Sequence, residues 1–171
     1  MGTQLIGCSW RFNAEYTRPF RSEPGRERIA ISISCVRFAH IALRSCFNHS
    51  CFEDNSRVKE AVAEPGEGRV LLIDGGGSLA KALTGDLVAK SAMDNGWAGM
   101  VIIGAARDVE VINTFDFCVM ALGTTPLKTE KLGRGERGVV LTLGGVDVSE
   151  GDYLAGDENG VLISRQPFLE S

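Results

Sequence analysis

Short apolar runs separated by glycine-rich turns are the feature that most constrains the fold of this chain from about residue 52 onward. Residues 70–73 and 100–103 are continuous apolar runs, which are typical of strands buried on both faces of a sheet. A third strand is predicted at residues 118–122. Glycine clusters such as Gly75-Gly76-Gly77 close these runs as turns. The pattern therefore predicts a mixed α/β domain built around a buried sheet.

Helices are predicted between these strands. The first covers residues 58–63 and ends before Pro65-Gly66. The second begins at Thr84-Gly85-Asp86 and ends at Asn95-Gly96, a typical C-terminal signal. A third, short helix is predicted at residues 109–113.

The C-terminal part of the chain is predicted to be mostly β. Strands at residues 139–143 and 146–148 flank the turn Gly144-Gly145, and two further strands, near residues 153–154 and 161–164, flank Asn159-Gly160. A doubly wound sheet needs more crossover helices than this sequence offers. We therefore expect a compact single domain with β/β/α layers.

The first 50 residues differ from the rest and are treated as a divergent N-terminal segment, with the domain proper at residues 51–171. Residues 1–50 carry seven Arg against three Glu, while residues 51–171 carry 11 Lys and Arg against 19 Asp and Glu. Arginine-rich segments are typical of organelle transit peptides, but glutamates interrupt this one and no amphipathic face is visible. A short strand is predicted at residues 29–33, and either a strand or a helix at residues 36–43.

Composition excludes several classes of protein. The chain has no stretch of roughly 20 apolar residues that could span a membrane. Its acidic second part disfavours nucleic acid as a direct partner. Five cysteines without regular spacing argue against a secreted disulfide scaffold and favour a reducing, cytoplasmic setting. Cys46, His49 and Cys51 lack a fourth ligand at a spacing typical of zinc sites, which favours free thiols.

Two short motifs carry candidate chemistry. Gly85-Asp86-Leu87-Val88 lies at a predicted helix start, where free backbone N–H groups attract a carboxylate. Arg107-Asp108 follows a predicted buried strand. Taken separately, Asp86 is better explained as a helix cap, and Arg107-Asp108 as a surface ion pair or turn. Gly75-Gly76-Gly77 lacks the spacing of a dinucleotide loop and the Lys-Ser/Thr of a phosphate loop, which disfavours a dinucleotide or S-adenosylmethionine enzyme.

Together, the two motifs resemble a family signature. Gly85-Asp86, twenty intervening residues and Arg107-Asp108 resemble the G-D-x20-R-D pattern of the class II pyruvate aldolases of the RraA-like family. Flanking segments agree with the family as well, at residues 69–78, 95–99, 121–124, 151–153 and 157–160. The resemblance covers roughly residues 51–165, and residues 1–50 do not resemble the family's opening segments.

The resemblance implies a swivelling phosphohistidine-like fold and a metal-assisted site. A divalent cation, Mg²⁺ or Mn²⁺, would be bound by Asp108, with water in most other positions. Arg107 would hold the keto acid, and Asp86 would orient or deprotonate a water molecule. The substrate carboxylate would be bound at the helix start by the backbone N–H groups of Gly85, Asp86, Leu87 and Val88.

The activity that the resemblance implies is cleavage of 4-hydroxy-4-methyl-2-oxoglutarate to two pyruvates. Decarboxylation of oxaloacetate passes through the same pyruvate enolate and is expected as a secondary activity. A small 2-keto acid would be the substrate, and the protein would be a homotrimer with active sites between subunits. The alternative is a non-catalytic regulator that binds and inhibits ribonuclease E. The presence of Asp86, Arg107 and Asp108 favours the enzyme, because a binding module has no need of this set.

Overall fold

The computed structural model describes residues 28–31, 34–35, 41–143, 146–157 and 160–166. Its helices are α1 (Ser56–Val62), α2 (Asp86–Asp94) and α3 (Val109–Ile112). Its strands, in chain order, are β1 (Arg28–Ile31), β2 (Ser34–Cys35), β3 (Ile41–Ser50), β4 (Val70–Asp74), β5 (Ala82–Thr84), β6 (Gly99–Ala106), β7 (Cys118–Thr124), β8 (Glu136–Arg137), β9 (Leu141–Leu143), β10 (Val146–Val148), β11 (Tyr153–Asp157) and β12 (Gly160–Ser164).

Strands β3, β4, β6 and β7 form the parallel part of the main sheet, and a helix lies between each strand and the next along the chain. The sheet continues from β3 through the antiparallel strands β11, β12 and β1, and it ends on the other side at β2. Strand β5 pairs in parallel with β6, and β9 and β10 form a separate hairpin. The predicted α/β class with few helices is confirmed.

The parallel strands are buried on both faces, which explains their continuous apolar sequences. On one face, Leu71 and Ile73 of β4 pack in a core with residues of all three helices. On the other face, Val70 and Leu72 pack against strands β9 to β12. Because successive side chains of a strand point to opposite faces, each apolar run supplies both cores. The domain thus has a layer of helices, a central sheet and a β layer, as the sequence predicted.

Most of strand β3 was missed by the sequence prediction, which placed a strand or a helix at residues 36–43 and so reached only its first three residues. It pairs antiparallel with β11 through Arg44 and Ser45 and then parallel with β4 from Cys46 to Ser50, so it joins the two parts of the sheet. The side chain of Asn48 is buried and donates a 2.8 Å hydrogen bond to the carbonyl of Val148 in the β layer. Polar residues that are buried in this way interrupt the apolar pattern from which strands are predicted.

Other predicted elements are found with shifted ends. Helix α2 confirms the predicted start at Asp86 and the end at Asn95-Gly96, where Gly96 has a positive φ of 77°. The strand predicted at residues 100–103 is longer and extends to Ala106. Residues 144–145, 158–159, 32–33 and 36–40, which carried predicted turns or strand segments, lie outside the described residues. No helix in the described part of the chain is long and apolar enough to cross a membrane.

The division of the chain at residue 51 stays a prediction. Strand β3, from the first 50 residues, nevertheless lies at the centre of the sheet that holds the later elements. Any boundary at residue 51 therefore separates two regions of sequence, and both regions contribute strands to one sheet.

Candidate active site

The candidate site lies where two parallel strands end side by side. Strand β5 pairs with β6 through Ala82 with Ala105 and Thr84 with Ala106. The backbone N–H of Arg107 donates a 3.0 Å hydrogen bond to the carbonyl of Thr84. Beyond this point strand β5 leads through Gly85 into α2, and strand β6 leads through Arg107 and Asp108 into α3. The parallel pairing therefore brings the two predicted motifs together at the carboxyl edge of the sheet.

Gly85 is in close contact with both residues of the second motif. A Cβ atom at Gly85 would lie 2.5 Å from Oδ2 of Asp108 and 3.1 Å from Cγ and Nε of Arg107. The backbone at Gly85 is extended, with φ −150°, so its conformation alone does not require glycine. The limited space requires glycine here, because the Asp108 carboxylate occupies the position that a side chain of residue 85 would take.

Asp108 is held in a strained backbone conformation. Its φ of 56° and ψ of 39° are left-handed, a region that few residues other than glycine adopt. Its carbonyl accepts hydrogen bonds from Val111 and Ile112 and so begins α3. Its Oδ2 lies 3.3 Å from Nε of Arg107, and both side chains are about one third exposed, at 31% and 36%. The strain therefore holds a solvent-accessible carboxylate beside a guanidinium, an arrangement typical of functional sites.

Asp86 is the first residue of α2, one position after the N-cap residue Gly85. Gly85 has no side chain with which to cap the helix, and Oδ1 of Asp86 accepts a 2.7 Å hydrogen bond from the N–H of Leu87. One of the N–H groups predicted to bind a substrate carboxylate thus has a partner within the chain. The side chain of Leu87 is 76% exposed, whereas that of Val88 packs in the core.

A buried carboxylate, which the sequence prediction missed, fixes a loop beside the site. Asp54 accepts hydrogen bonds from the backbone N–H groups of Ser56 at 2.8 Å, Leu132 at 2.7 Å and Arg134 at 3.1 Å. Burial by itself raises the pKa of Asp54, but the hydrogen bonds from Ser56, Arg134 and Leu132 outweigh it and hold the pKa at about 2. Asp54 therefore ties residues 130–134 to the start of α1.

The donor set at the candidate site suits a cation that keeps most of its water. In the described part of the chain, no three His, Cys, Asp or Glu side chains converge as metal ligands. Zinc usually takes three or four protein ligands, whereas Mg²⁺ is often held by one or two carboxylates and several waters. Asp108 supplies one accessible carboxylate, whose Oδ2 takes the space that a side chain at residue 85 would fill. These residues fit magnesium or manganese.

Several bacterial proteins similar to this chain share one name. A protein of Ectopseudomonas mendocina named "Putative 4-hydroxy-4-methyl-2-oxoglutarate aldolase" is 54% identical over 116 residues, which cover 68% of this chain and 72% of that protein. A protein of the same name from Shewanella oneidensis is 53% identical over 116 residues, covering 68% and 71%.

Solved structures and a family model agree with these relatives. The "RNA-processing inhibitor RraA" from Thermus thermophilis superposes with a TM-score of 0.79 at 37% identity, covering 84% of this chain and 88% of that one. A Geobacillus kaustophilus protein titled as an S-adenosylmethionine:2-dimethylmenaquinone methyltransferase superposes with a TM-score of 0.77 at 34% identity, covering 84% and 89%. The family model described as Aldolase/RraA matches residues 15–163. This chain therefore belongs to the RraA-like family, as its motifs predicted.

Proposed function

We propose that this protein is a divalent-metal-dependent lyase that cleaves 4-hydroxy-4-methyl-2-oxoglutarate into two pyruvates and decarboxylates oxaloacetate as a secondary activity. The observation that carries the proposal is the packing of the Asp108 carboxylate and the Arg107 side chain against Gly85, at the ends of two parallel strands. The names of relatives about 50% identical to this chain support the same reaction.

The chemical demand of both reactions is the same. Cleavage of the carbon–carbon bond leaves its electron pair on pyruvate as an enolate, whose negative charge must be stabilised. The guanidinium of Arg107 offers N–H donors in a planar fork, which suits a keto or carboxylate oxygen. A divalent cation held by Asp108 would supply Lewis-acid stabilisation of the same charge. Arg107 is about one third exposed and its Nε faces Asp108, so the guanidinium is accessible to a ligand.

Asp86 is proposed as the proton acceptor. Retro-aldol cleavage removes the proton of the 4-hydroxyl group, while decarboxylation has no hydroxyl to deprotonate. Asp86 is partly exposed and adjoins Gly85, so its carboxylate can take this proton directly or through a water molecule. The Asp86 carboxylate accepts a hydrogen bond from the N–H of Leu87, and it would have to release this N–H before a substrate carboxylate could use all the free N–H groups of α2.

A homotrimer in a reducing, cytoplasmic setting is part of the proposal. Large apolar side chains are more than half exposed on segments that flank the site, as expected of a subunit contact: Phe52, Leu87, Leu127 and Leu132. Cys46 and Cys51 are buried free thiols, which suits a reducing environment. Sedimentation equilibrium tests the assembly, and a monomer at micromolar concentration would contradict it.

A second candidate function is binding and inhibition of ribonuclease E. It is favoured by the superposition on a structure titled as an RNA-processing inhibitor. The deciding experiment measures pyruvate formed per molecule of 4-hydroxy-4-methyl-2-oxoglutarate consumed, with Mg²⁺ present, beside an assay of ribonuclease E inhibition. We expect two pyruvates per substrate. No turnover of either keto acid by the folded protein, together with inhibition of the ribonuclease, would favour the regulator.

A further inference from the structure

Asn55 is a buried asparagine at the start of α1 whose side chain does not cap the helix. It is the N-cap residue, and its carbonyl accepts a 3.0 Å hydrogen bond from the N–H of Lys59, but its side chain makes no capping hydrogen bond. Oδ1 of Asp54 accepts the N–H of Ser56 instead. Asparagine at an N-cap position usually stabilises the helix through its side-chain oxygen. The side chain of Asn55 is therefore free for a contact outside α1.

That contact is with β5. Nδ2 of Asn55 donates a buried 3.1 Å hydrogen bond to the carbonyl of Leu83. Asn55 is only 9% exposed, and its Oδ1 has no hydrogen-bond partner within the described residues. The amide cannot be turned round, because its oxygen would then face the oxygen of Leu83. A buried oxygen without a partner costs free energy, so stability alone does not explain an asparagine at this position.

Leu83 leads directly into the candidate site. The carbonyl of the next residue, Thr84, accepts a 3.0 Å hydrogen bond from the N–H of Arg107, and the residue after that is Gly85. Successive carbonyls of an extended strand point to opposite edges, so Asn55 and Arg107 hold β5 from two sides. Strand β5 has three residues, whereas strands usually have about five or six. A single hydrogen bond is therefore a large share of what orients this strand.

The side chain of Leu83 holds β5 in place by a separate contact. A Cβ atom at Gly75 would lie 2.5 Å from Cδ1 of Leu83, and a Cβ atom at Gly104 of β6 would lie 3.1 Å from it. The leucine therefore fills the space above two glycines and is itself almost fully buried. This packing sets the distance of β5 from its neighbours, and the hydrogen bond from Asn55 sets the orientation of the peptide group that follows Leu83.

We propose that Asn55 is a positioning residue of the candidate active site. Its amide fixes the peptide group after Leu83, and through it the position of Gly85 against the Asp108 carboxylate. Asn55 acts through the backbone of β5 and does not itself take part in the reaction. This inference rests on the proposed function, because the rate that reports the position is that of the chemistry at Asp108.

Two substitutions at Asn55 test this role by kcat/KM for pyruvate release. Asn55→Leu has a similar size and no donor, and we expect a loss between about tenfold and 100-fold at every pH, because a shift of about 1 Å costs on the order of 100-fold. The new carboxyl of Asn55→Asp donates only when it is protonated, and burial beside a carbonyl raises its pKa. Its kcat/KM relative to the native protein should therefore rise about tenfold between about pH 8 and about pH 5, whereas that of Asn55→Leu should stay constant.

Asn48 offers a matched control on the other face of the sheet. It is also buried with an unpaired Oδ1, and its Nδ2 donates to a backbone carbonyl, but this carbonyl is that of Val148 in the β layer. Asn48→Leu and Asn48→Asp should lower the thermal unfolding temperature, while their kcat/KM relative to the native protein stays within about threefold at each pH. The same pH-dependent recovery in Asn48→Asp as in Asn55→Asp would show a purely structural role and overturn the inference.

The amide hydrogen of Arg107 reports the position of β5 without any turnover. It is bonded to the carbonyl of Thr84, so its exchange with solvent, followed by NMR, should be about tenfold faster in Asn55→Leu than in the native protein. The amide of Ala98, which donates to the carbonyl of Arg69 before β6 begins, should exchange at the native rate. Native exchange at Arg107, or native kcat/KM in folded Asn55→Leu, would overturn the inference. Absence of pyruvate release by the native protein would refute the proposed function instead, and the exchange rates would still decide the role of Asn55.

Discussion

Replacement of Gly85 by alanine tests whether the close contact at the site is needed for its chemistry. The new Cβ would lie 2.5 Å from Oδ2 of Asp108, whereas ordinary contacts begin at 3.4 Å, so the carboxylate must move by about 0.9 Å. A displacement of about 1 Å in a positioned group costs on the order of 100-fold in rate. The extended backbone of Gly85 accepts alanine, so the fold should persist at an overpacking cost of about 1 to 3 kcal/mol.

The assay is kcat/KM for pyruvate release, together with thermal unfolding of each variant. Gly123→Ala is the matched control, because the atoms nearest to its new methyl group would be those of the Leu79 side chain, at 3.2 Å. Leu79 is half exposed and free to move, so this variant should keep its activity within about threefold. A folded Gly85→Ala protein with native kcat/KM would refute the argument that this glycine makes room for a working Asp108.

Three further predictions concern titration, loop anchoring and proton transfer. Burial, together with the charge of Arg137, lowers the pKa of His49 from 6.5 to about 4. Between these two values the unfolded state binds a proton that the folded state does not, so the free energy of unfolding is highest above pH 6.5 and decreases as the pH falls toward 4. Urea unfolding should show a loss of roughly 2 kcal/mol at pH 5 that His49→Leu abolishes, and an unchanged pH dependence would contradict this. Asp54→Asn should speed tryptic cleavage at Lys131, because the charged acceptor for the N–H of Leu132 is lost and the loop is anchored less firmly. In the native protein this anchoring is complete above pH 3.8 and is lost as the pH falls through about 2. Equal cleavage rates in the two proteins would argue against this role of Asp54. Asp86→Asn should lower aldol cleavage at least tenfold more than oxaloacetate decarboxylation, and equal losses would remove Asp86 as the proton acceptor.

Local signals in the sequence were sufficient for the elements that hold the site. Apolar runs marked β4, β6 and β7, because both faces of these strands are buried. The Asn95-Gly96 pair marked the end of α2, because Gly96 adopts a positive φ. Most of strand β3 was missed because its buried polar residues, Asn48 and His49, interrupt the apolar pattern from which strands are predicted. Strand β5 has only three residues, and its pairing with β6 is not visible in the sequence.

The residues of the candidate site were predicted from the motif, whereas the steric reason for a glycine at residue 85 needed the structure. The resemblance to the family signature gave the association of Gly85 with Arg107 and Asp108, and the steric contact with Asp108 explains why residue 85 is glycine. The left-handed conformation of Asp108 was not predicted, although Asp adopts this region more often than most residues other than glycine.

The most direct test of the proposed chemistry is pyruvate release from 4-hydroxy-4-methyl-2-oxoglutarate by the native protein and by Asp108→Asn, each with Mg²⁺ and with a chelator. Asparagine tolerates the left-handed backbone of residue 108, so the variant should fold and lose the carboxylate charge. Asp94→Asn, at the far end of α2, removes a comparable charge away from the site. The account predicts magnesium-dependent release by the native protein and by Asp94→Asn, with a loss of at least 100-fold in Asp108→Asn. Equal release with chelator, or full activity in Asp108→Asn, would contradict it.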